Sequence, residues 1–415
     1  MNIQYLGSYI KQVNVRNNEL NLPESRLMGI NLQKEFMPSV ANVIGTDLSK
    51  YKVVQNNQFA FNPMHVGRDF KIPIGIWESD EPIIVSPAYT VFEIIDEKIL
   101  LKEYLKLIIQ LPEFDRYAWF RTDSSVRGGL GWDVFCSSEI YVPDIEQQKK
   151  IVDIYKVFND RISLLSSMNK ILENIAQALF KHWFVDFDFP NDDGKPYKLA
   201  GGKIVESEIG NMPAGWRVGT IGAIANVIDC LHSKKPNRCE VGKPLLQLNN
   251  IRDDGLLDMS DIFFISDSDY AKWISRCEAS QWDCVITNVG RVAAVAQIPE
   301  GVNAALGRNM TCVRCKGDFP YPTYLLECLL SDTMRREIIN KTDSGTILDA
   351  LNVRSIPKLR LLIPDIRTIE AFERIICPIR YDMELNLRET FSLASSRDTL
   401  LPKLMSGSSL FKHNS

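Results

Sequence analysis

Cys312-Val313-Arg314-Cys315 has the spacing that can place two thiolates on one zinc ion. A structural zinc site needs four ligands, and no second pair at similar spacing exists to complete it. The stretch Met-Thr-Cys-Val-Arg-Cys reads as a strand, where positions i and i+3 face opposite sides of a sheet. Free thiols and no bound metal are expected. His65, His182 and His232 are scattered and read as surface or packing residues. The chain has no G-x-x-x-x-G-K-[ST] loop to cradle a nucleoside triphosphate, and its acidic residues form no grouping suited to a metal-dependent nuclease.

Phe61 to Phe70 reads FNPMHVGRDF. Asn62-Pro63 resembles the start of the Asn-Pro-Pro-aromatic loop with which adenine methyltransferases hold a flipped base, but Met64 and His65 break the pattern. A glycine-rich turn between strand and helix, needed for S-adenosylmethionine, is also missing. Val66-Gly67-Arg68 recurs as Val289-Gly290-Arg291 in the other half of the chain, so the phrase reads as part of a repeat.

The elements that position these residues are themselves duplicated. Gly7 and Gly222, in similar octapeptides, lie 215 residues apart; Thr122 and Thr342, each opening Thr-Asp-Ser, 220; Val142 and Ile363, each before Pro-Asp-Ile, 221; Arg68 and Arg291, 223. Each copy has two parts. The first, residues 1–141 and 215–362, mixes β-branched and aromatic runs with Gly, Pro and Asn punctuation and one helical stretch, which predicts an α/β (α+β) lobe. The second, residues 142–184 and 363–407, predicts a long helix. Residues 185–214 form a linker and 408–415 a tail.

In the first helix Ile151, Tyr155, Phe158, Ile162, Leu165, Asn169, Leu172, Ala176, Leu179 and Trp183 follow alternating steps of four and three, a coiled-coil seam. Ile369, Phe372, Ile376, Ile379, Met383, Asn386, Thr390, Leu393, Leu400 and Leu404 keep most of that spacing, with Arg397 at one seam position and Pro378 expected to kink the helix. About 40 residues at 1.5 Å each span about 60 Å, more than one small lobe can cover. The two seams are natural partners, and antiparallel pairing gives the chain approximate twofold symmetry. Asn169 suits a register-fixing position.

A chain of 415 residues, 45% apolar, can pack more than one core. No export signal or bilayer-spanning apolar run is evident, so a cytoplasmic location without membrane attachment is expected. Nine cysteines at irregular spacing then read as reduced thiols. The net charge of −4 argues only weakly against a nucleic-acid partner, because the placement of Lys and Arg matters more than their total.

LENIAQALFKHWFVDFDFP, GKPYK, GGKIVESEIGNMPAGWRVGTIG, SSVRGGLGWDVF and the terminal LLPKLMSG resemble the specificity subunit of type I restriction-modification enzymes. The resemblance covers the whole chain, strongly at the two helices and weakly within the lobes. It implies two pseudo-symmetric target-recognition domains separated by two long helices in an antiparallel coiled coil. Each domain would read one half of a bipartite double-stranded DNA target, while the helices set the unread spacer and dock two modification subunits. The chain itself would be non-catalytic and bind no cofactor; S-adenosylmethionine, Mg and ATP are implied only for the modification and restriction subunits. The alternatives are a stand-alone DNA adenine methyltransferase and a coiled-coil scaffold that does not bind DNA.

Base edges are read by Arg at guanine and Asn or Gln at adenine, while Lys and small polar groups position phosphates. Loops rich in these types supply Lys11, Asn14, Arg16, Asn17, Asn62, His65 and Arg68 in the first lobe. The second supplies Lys234, Lys235, Arg238, Asn249, Asn250, Arg252, Asn288, Arg291 and Arg308. Arg68 and Arg291 are each expected on a turn where glycine lets the backbone approach DNA. Phe180, Lys181, Trp183, Phe184 and Leu404, near the helix ends, are candidate contacts for the modification subunits.

Overall fold

The computed structural model describes residues 4–18, 22–40, 45–64, 66–122, 129–341 and 350–405. The chain divides into two compact units, residues 1–161 with 393–415, and residues 162–392. His65 and the Thr-Asp-Ser-Gly repeat at 342–345 lie outside the described residues.

In unit 1, β1 (Ile10–Val13), β2 (Phe59–Phe61), β3 (Ile74–Ile76) and β4 (Thr90–Ile94) form an antiparallel sheet in the order β1-β4-β2-β3. The runs Phe-Ala-Phe and Ile-Gly-Ile lack polar alternation because both faces of the sheet are covered. Phe59 and Phe61 pack under the helical hairpin Lys102–Gln110 and Pro112–Phe120, whereas Ala60 joins Val54, Ile83 and Val91 on the other face. Pro112 starts the second hairpin helix, where its missing N–H costs nothing.

Unit 2 repeats this plan. Its strands β5 (Ala225–Asp229), β6 (Cys284–Thr287), β7 (Val295–Gln297) and β8 (Met310–Cys315) are antiparallel in the order β5-β8-β6-β7, and its helical hairpin is Pro322–Leu330 and Asp332–Ile339. On β8, Cys312 packs with Val285 and Ala296, while Cys315 lies against the cluster of Cys284 and Val313. The two thiols sit on opposite faces, so they do not converge on one ion. The units differ at the side: unit 1 pairs Lys52–Val54 with Ile83–Val85, whereas unit 2 sets Lys243–Leu246 between an antiparallel Phe263–Ile265 and a parallel Ala305–Leu306.

The seam residues lie on two 40-residue helices, Ile145–Phe184 and Ile366–Met405. Within unit 2 they pair antiparallel. Asn169 donates to the Met383 carbonyl (2.8 Å) and accepts from Asn386 (2.9 Å), and further along Phe180 and Phe184 meet Phe372. Within unit 1, Arg397 lies over the Tyr155 ring and donates to Asn159 (2.7 Å), while Ile151 and Val152 share a core with Leu401 and Leu404. Arg397 at a seam position is thus accommodated by an aromatic face and an amide. Pro378 does not interrupt its helix. Ile369, Phe372, Ile376 and Met383, buried on either side of it, offset the lost backbone bond.

Candidate nucleic-acid interface

Strand register gathers the candidate loops of each unit at one end of its sheet. In unit 1, Val13 pairs with Val91 and Phe61 with Thr90, so the segments after β1 and β2 both emerge at the start of β4. In unit 2, Asp229 pairs with Thr311 and Thr287 with Met310, which brings the segments after β5 and β6 to the start of β8. The parallel pairing of Leu246 with Leu306 adds Gln247–Arg252 and Gly307–Asn309 to the same end.

The unit 2 loops are cross-braced. Asn288 donates its backbone N–H to Asn309 (2.8 Å) and its amide to the Leu351 carbonyl (3.2 Å), and accepts from Thr311 Oγ1 (2.9 Å). Asn250 accepts from the Gln247 N–H (2.8 Å) and donates to the Asp258 carbonyl (2.9 Å). In unit 1, Asn17 accepts from the Leu22 N–H (2.7 Å) and donates back to its carbonyl (3.0 Å). These three asparagines are 5%, 1% and 2% exposed, which corrects their reading as base contacts. An amide with donor and acceptor satisfied inside the fold shapes the loop and does not face a ligand. Asn62 caps its own turn by accepting from the Met64 N–H (3.0 Å).

Several candidate arginines are paired with acids. Arg68 makes a two-point contact with Asp69 (2.6 and 2.9 Å), which holds its guanidinium above the usual value. It lies on the single helical turn Val66–Asp69 between β2 and β3, so the expected glycine turn is absent there. Arg291, between β6 and β7, does follow a left-handed glycine: Gly290 has φ +87°. Its guanidinium donates to the Ile251 carbonyl (2.5 Å) and pairs with Asp253. Arg252 pairs with Asp254 (2.7 Å) and Arg238 with Asp261; Lys11 pairs with Glu93 (2.9 Å). Asp253 is 96% exposed, so its pair contributes little stability and can be exchanged for a phosphate or a base edge. The acids at 253, 254 and 261 escaped the sequence reading, although Arg252-Asp253-Asp254 are consecutive.

Asn14, Arg16, Lys234, Asn249 and Arg308 are exposed. Lys235 stacks on Phe263 at 4.2 Å. His232 is not isolated: its Nε2 lies 2.9 Å from Asp229, and Cys230 is close enough to form a donor group with them. Arg276 also donates to Asp229 (3.3 Å) and to the Cys230 carbonyl (3.0 Å), supplying positive charge where a metal ion would need to bind.

The helix-end aromatics require a correction. Phe180, Trp183 and Phe184 lie in the core of unit 2 with Trp216, Tyr324 and Phe372, and Leu404 lies in the core of unit 1. They are consumed by this chain's own packing. Only Lys181 of that set is exposed, paired with Asp186 at 2.7 Å.

The architecture is therefore a duplicated α/β lobe with a loop cluster at one end of each sheet and paired long helices. A solved type I restriction-modification S subunit from M. genitalium shares this fold, with a TM-score of 0.57 covering 97% of this chain and 96% of that one at 14% identity. The MjaIX specificity subunit of a type I restriction enzyme from Methanocaldococcus jannaschii is 26% identical over 349 residues, 81% of this chain and 76% of its own. The HindI specificity subunit from Haemophilus influenzae is 24% identical over 380 residues, 78% of this chain and 81% of its own. No family model matches the chain. These curated relatives and this structural neighbour are all specificity subunits of type I restriction systems, matched over most of this chain. These relatives give no support to a stand-alone methyltransferase or a scaffold unrelated to DNA.

Proposed function

We propose that this chain is the DNA-sequence-recognition subunit of a type I restriction-modification system, each lobe reading one half of a bipartite target. The observation that carries the reading is the equivalent loop cluster at the same end of two sheets of identical strand order. Bracing by Asn250 and Asn288 gives the loops a fixed shape, and the exposed Arg, Lys and Asn side chains on them have the chemistry to reach base edges and phosphates. The two long helices, paired as an antiparallel coiled coil between two target-recognition domains, set the unread spacer. The chain acts without catalysis of its own in the cytoplasm. S-adenosylmethionine belongs to the modification subunits, and ATP and Mg to the restriction subunits.

The docking face for a modification subunit is moved by the burial of the aromatics. Leu164, Met168, Ile171 and Ile175 are 41–58% exposed and recur at steps of four, three and four, a second apolar stripe beside the buried Leu165, Asn169 and Ala176 and the half-buried Leu172. The stripe is about 16 Å long and suits a partner helix. Ile171→Glu is expected to abolish co-elution with the modification subunit in sizing chromatography while leaving thermal stability unchanged; undiminished co-elution assigns docking elsewhere.

The function is tested by sequencing methylated adenines in cells with and without this gene, the modification subunit being present in both. Two half-sites at fixed spacing should lose methylation together when the gene is absent. An unchanged methylation pattern would falsify the reading.

A further inference from the structure

Unit 1 contains a cavity of about 620 Å³ bordered by Ile76–Glu78 at the end of β3, Lys106 on the helical hairpin and Asn159 on the first long helix. In unit 2 the matching positions, Gln297–Pro299, Leu326 and Arg380, border only about 50 Å³. Trp77 and Ile298 are 221 residues apart, as are Asn159 and Arg380, and Lys106 and Leu326 are 220 apart. The two cavities are thus the same place in the repeat.

The sequence explains the difference. In unit 2 the space is filled by Arg380, whose Nε donates to Glu327 (2.5 Å) and whose Nη1 donates to Glu173 (2.7 Å) and the Asp254 carbonyl (2.6 Å). By the same offsets, Arg380, Glu327 and Glu173 correspond to Asn159, Leu107 and Ala394. Three long charged side chains become two shorter ones and a methyl group. The resulting volume is in the range of ligand sites, about 300–1,000 Å³.

The wall chemistry is specific. Asn159 Oδ1 accepts from Arg397 (2.7 Å) and Gln110 Oε1 accepts from the Tyr155 hydroxyl (2.9 Å), so both amides keep their NH₂ groups as donors. Lys156 adds a third donor from the long helix. Glu35 and Glu103 also line the cavity, and neither forms an ion pair among the described residues. Phe36 and Trp77 meet edge-to-face at 5.4 Å to give an aromatic wall. Lysines and glutamates are equal in number here, three of each, so the cavity offers no net positive field for a phosphate backbone. At the equivalent place in unit 2, the long-helix donor holds a peptide carbonyl.

We propose that this cavity binds a short peptide segment. Its carbonyl or carboxylate oxygens accept from Asn159, Gln110 and Lys156, a basic group lies toward Glu35 and Glu103, and an apolar side chain packs on Phe36 and Trp77. The source is either a free short peptide, whose own termini provide the charges, or an interior segment of another chain.

The full-length protein is titrated with a degenerate tetrapeptide pool with free termini and, separately, with the same pool acetylated and amidated. The readouts are Tm and hydrogen exchange over residues 74–79. At least one pool should raise Tm saturably and protect that segment, with apparent affinity at least tenfold weaker in Asn159→Leu and in Lys156→Glu and unchanged in Arg308→Ala. Action of the free pool alone identifies a free peptide, and action of the blocked pool identifies a chain segment. Lys156 is exposed, so its substitution keeps the test valid if Asn159→Leu misfolds. No response to either pool, an equal response in wild type and Lys156→Glu, or protection of residues 74–79 only by a DNA duplex overturns the proposal.

Discussion

The loop Asn31–Glu35 in unit 1 and the loop Arg252–Leu256 in unit 2 are the same turn held in opposite ways. Both close with a backbone bond from first to fifth residue, 3.0 and 3.1 Å, and both place their fourth residue in the left-handed region, Lys34 at φ 68° and Gly255 at φ 83°. In unit 1 the loop reaches out: the buried Lys34 ammonium contacts Asp115 (2.8 Å) and the Ile109 carbonyl on the helical hairpin. In unit 2 the glycine has no side chain, and Arg380 reaches in from the long helix to the loop carbonyl. Strand order was retained while anchoring changed, because sheet topology depends on many pairings and an anchor on one or two side chains. The loop of unit 1 is thus fixed to its hairpin, and that of unit 2 to the long helices.

The largest effect should come from breaking the anchors. Arg380→Met leaves Glu173 and Glu327 buried without a counter-charge and is expected to cost about 3–5 kcal/mol in urea unfolding. Lys34→Met strands only Asp115, which still accepts from the Ile72 N–H (3.1 Å), so its cost should fall at the lower end of that range. Equal costs, or none for Arg380→Met, would remove the distinction between the anchors.

The next effect concerns reading. Arg291→Ala, on the left-handed turn of unit 2, should lose about 1–3 kcal/mol of discrimination at one base of one half-site and leave the other half-site unchanged. Affinity measured against targets varied in each half-site checks this. A uniform loss with a shallower salt dependence makes Arg291 a phosphate contact, and lost stability with unchanged preference makes it a fold residue held by Asp253.

Gly255→Ala sharpens the comparison of the loops. A Cβ there would lie 2.8 Å from Leu330 Cδ1 in a left-handed backbone, and a cost of about 1–2 kcal/mol is expected in unfolding experiments. Its counterpart Lys34 tolerates the same φ because its side chain is anchored. A neutral Gly255→Ala would show that the turn relaxes freely.

The smallest effect is pH-dependent and confined to unit 2. The hydrogen bond from Arg360 (3.1 Å) holds the Glu337 carboxyl below its ordinary value. A depressed folded value means stability that is present above the ordinary carboxylate range and lost as pH falls through the folded value. Glu337→Gln should therefore flatten the acid limb of the unfolding curve by under about 1 kcal/mol, given the exposed arginine. The matching positions in unit 1, Tyr117 and Glu139, carry no such pair of opposite charges, so the corresponding Tyr117→Phe should leave the acid limb as it is.

Much of the fold was legible in the sequence. The offset of 215–223 residues disclosed the duplication, and the steps of four and three in Ile151 to Trp183 and Ile369 to Leu404 marked two helices before any contact was known. The strand reading of Met310–Cys315, with its cysteines on opposite faces, followed from a period of two. These periods are properties of the backbone itself, and the side chains of one segment suffice to express them. The tertiary structure decided which polar and aromatic residues remain free. Asn17, Asn250 and Asn288 have the composition of reading residues but are turned inward, because each amide is bonded to a backbone carbonyl of its own unit. Phe180, Trp183 and Phe184 have the composition of a docking surface but fill the core between Trp216, Tyr324 and Phe372. Arg380 and Asn159 occupy the same place in the repeat, and only their distant neighbours, Glu327 and Glu173 against Leu107 and Ala394, make one a closed junction and the other a cavity. Burial and pairing depend on residues brought together from far along the chain, and no local period encodes which of them will meet.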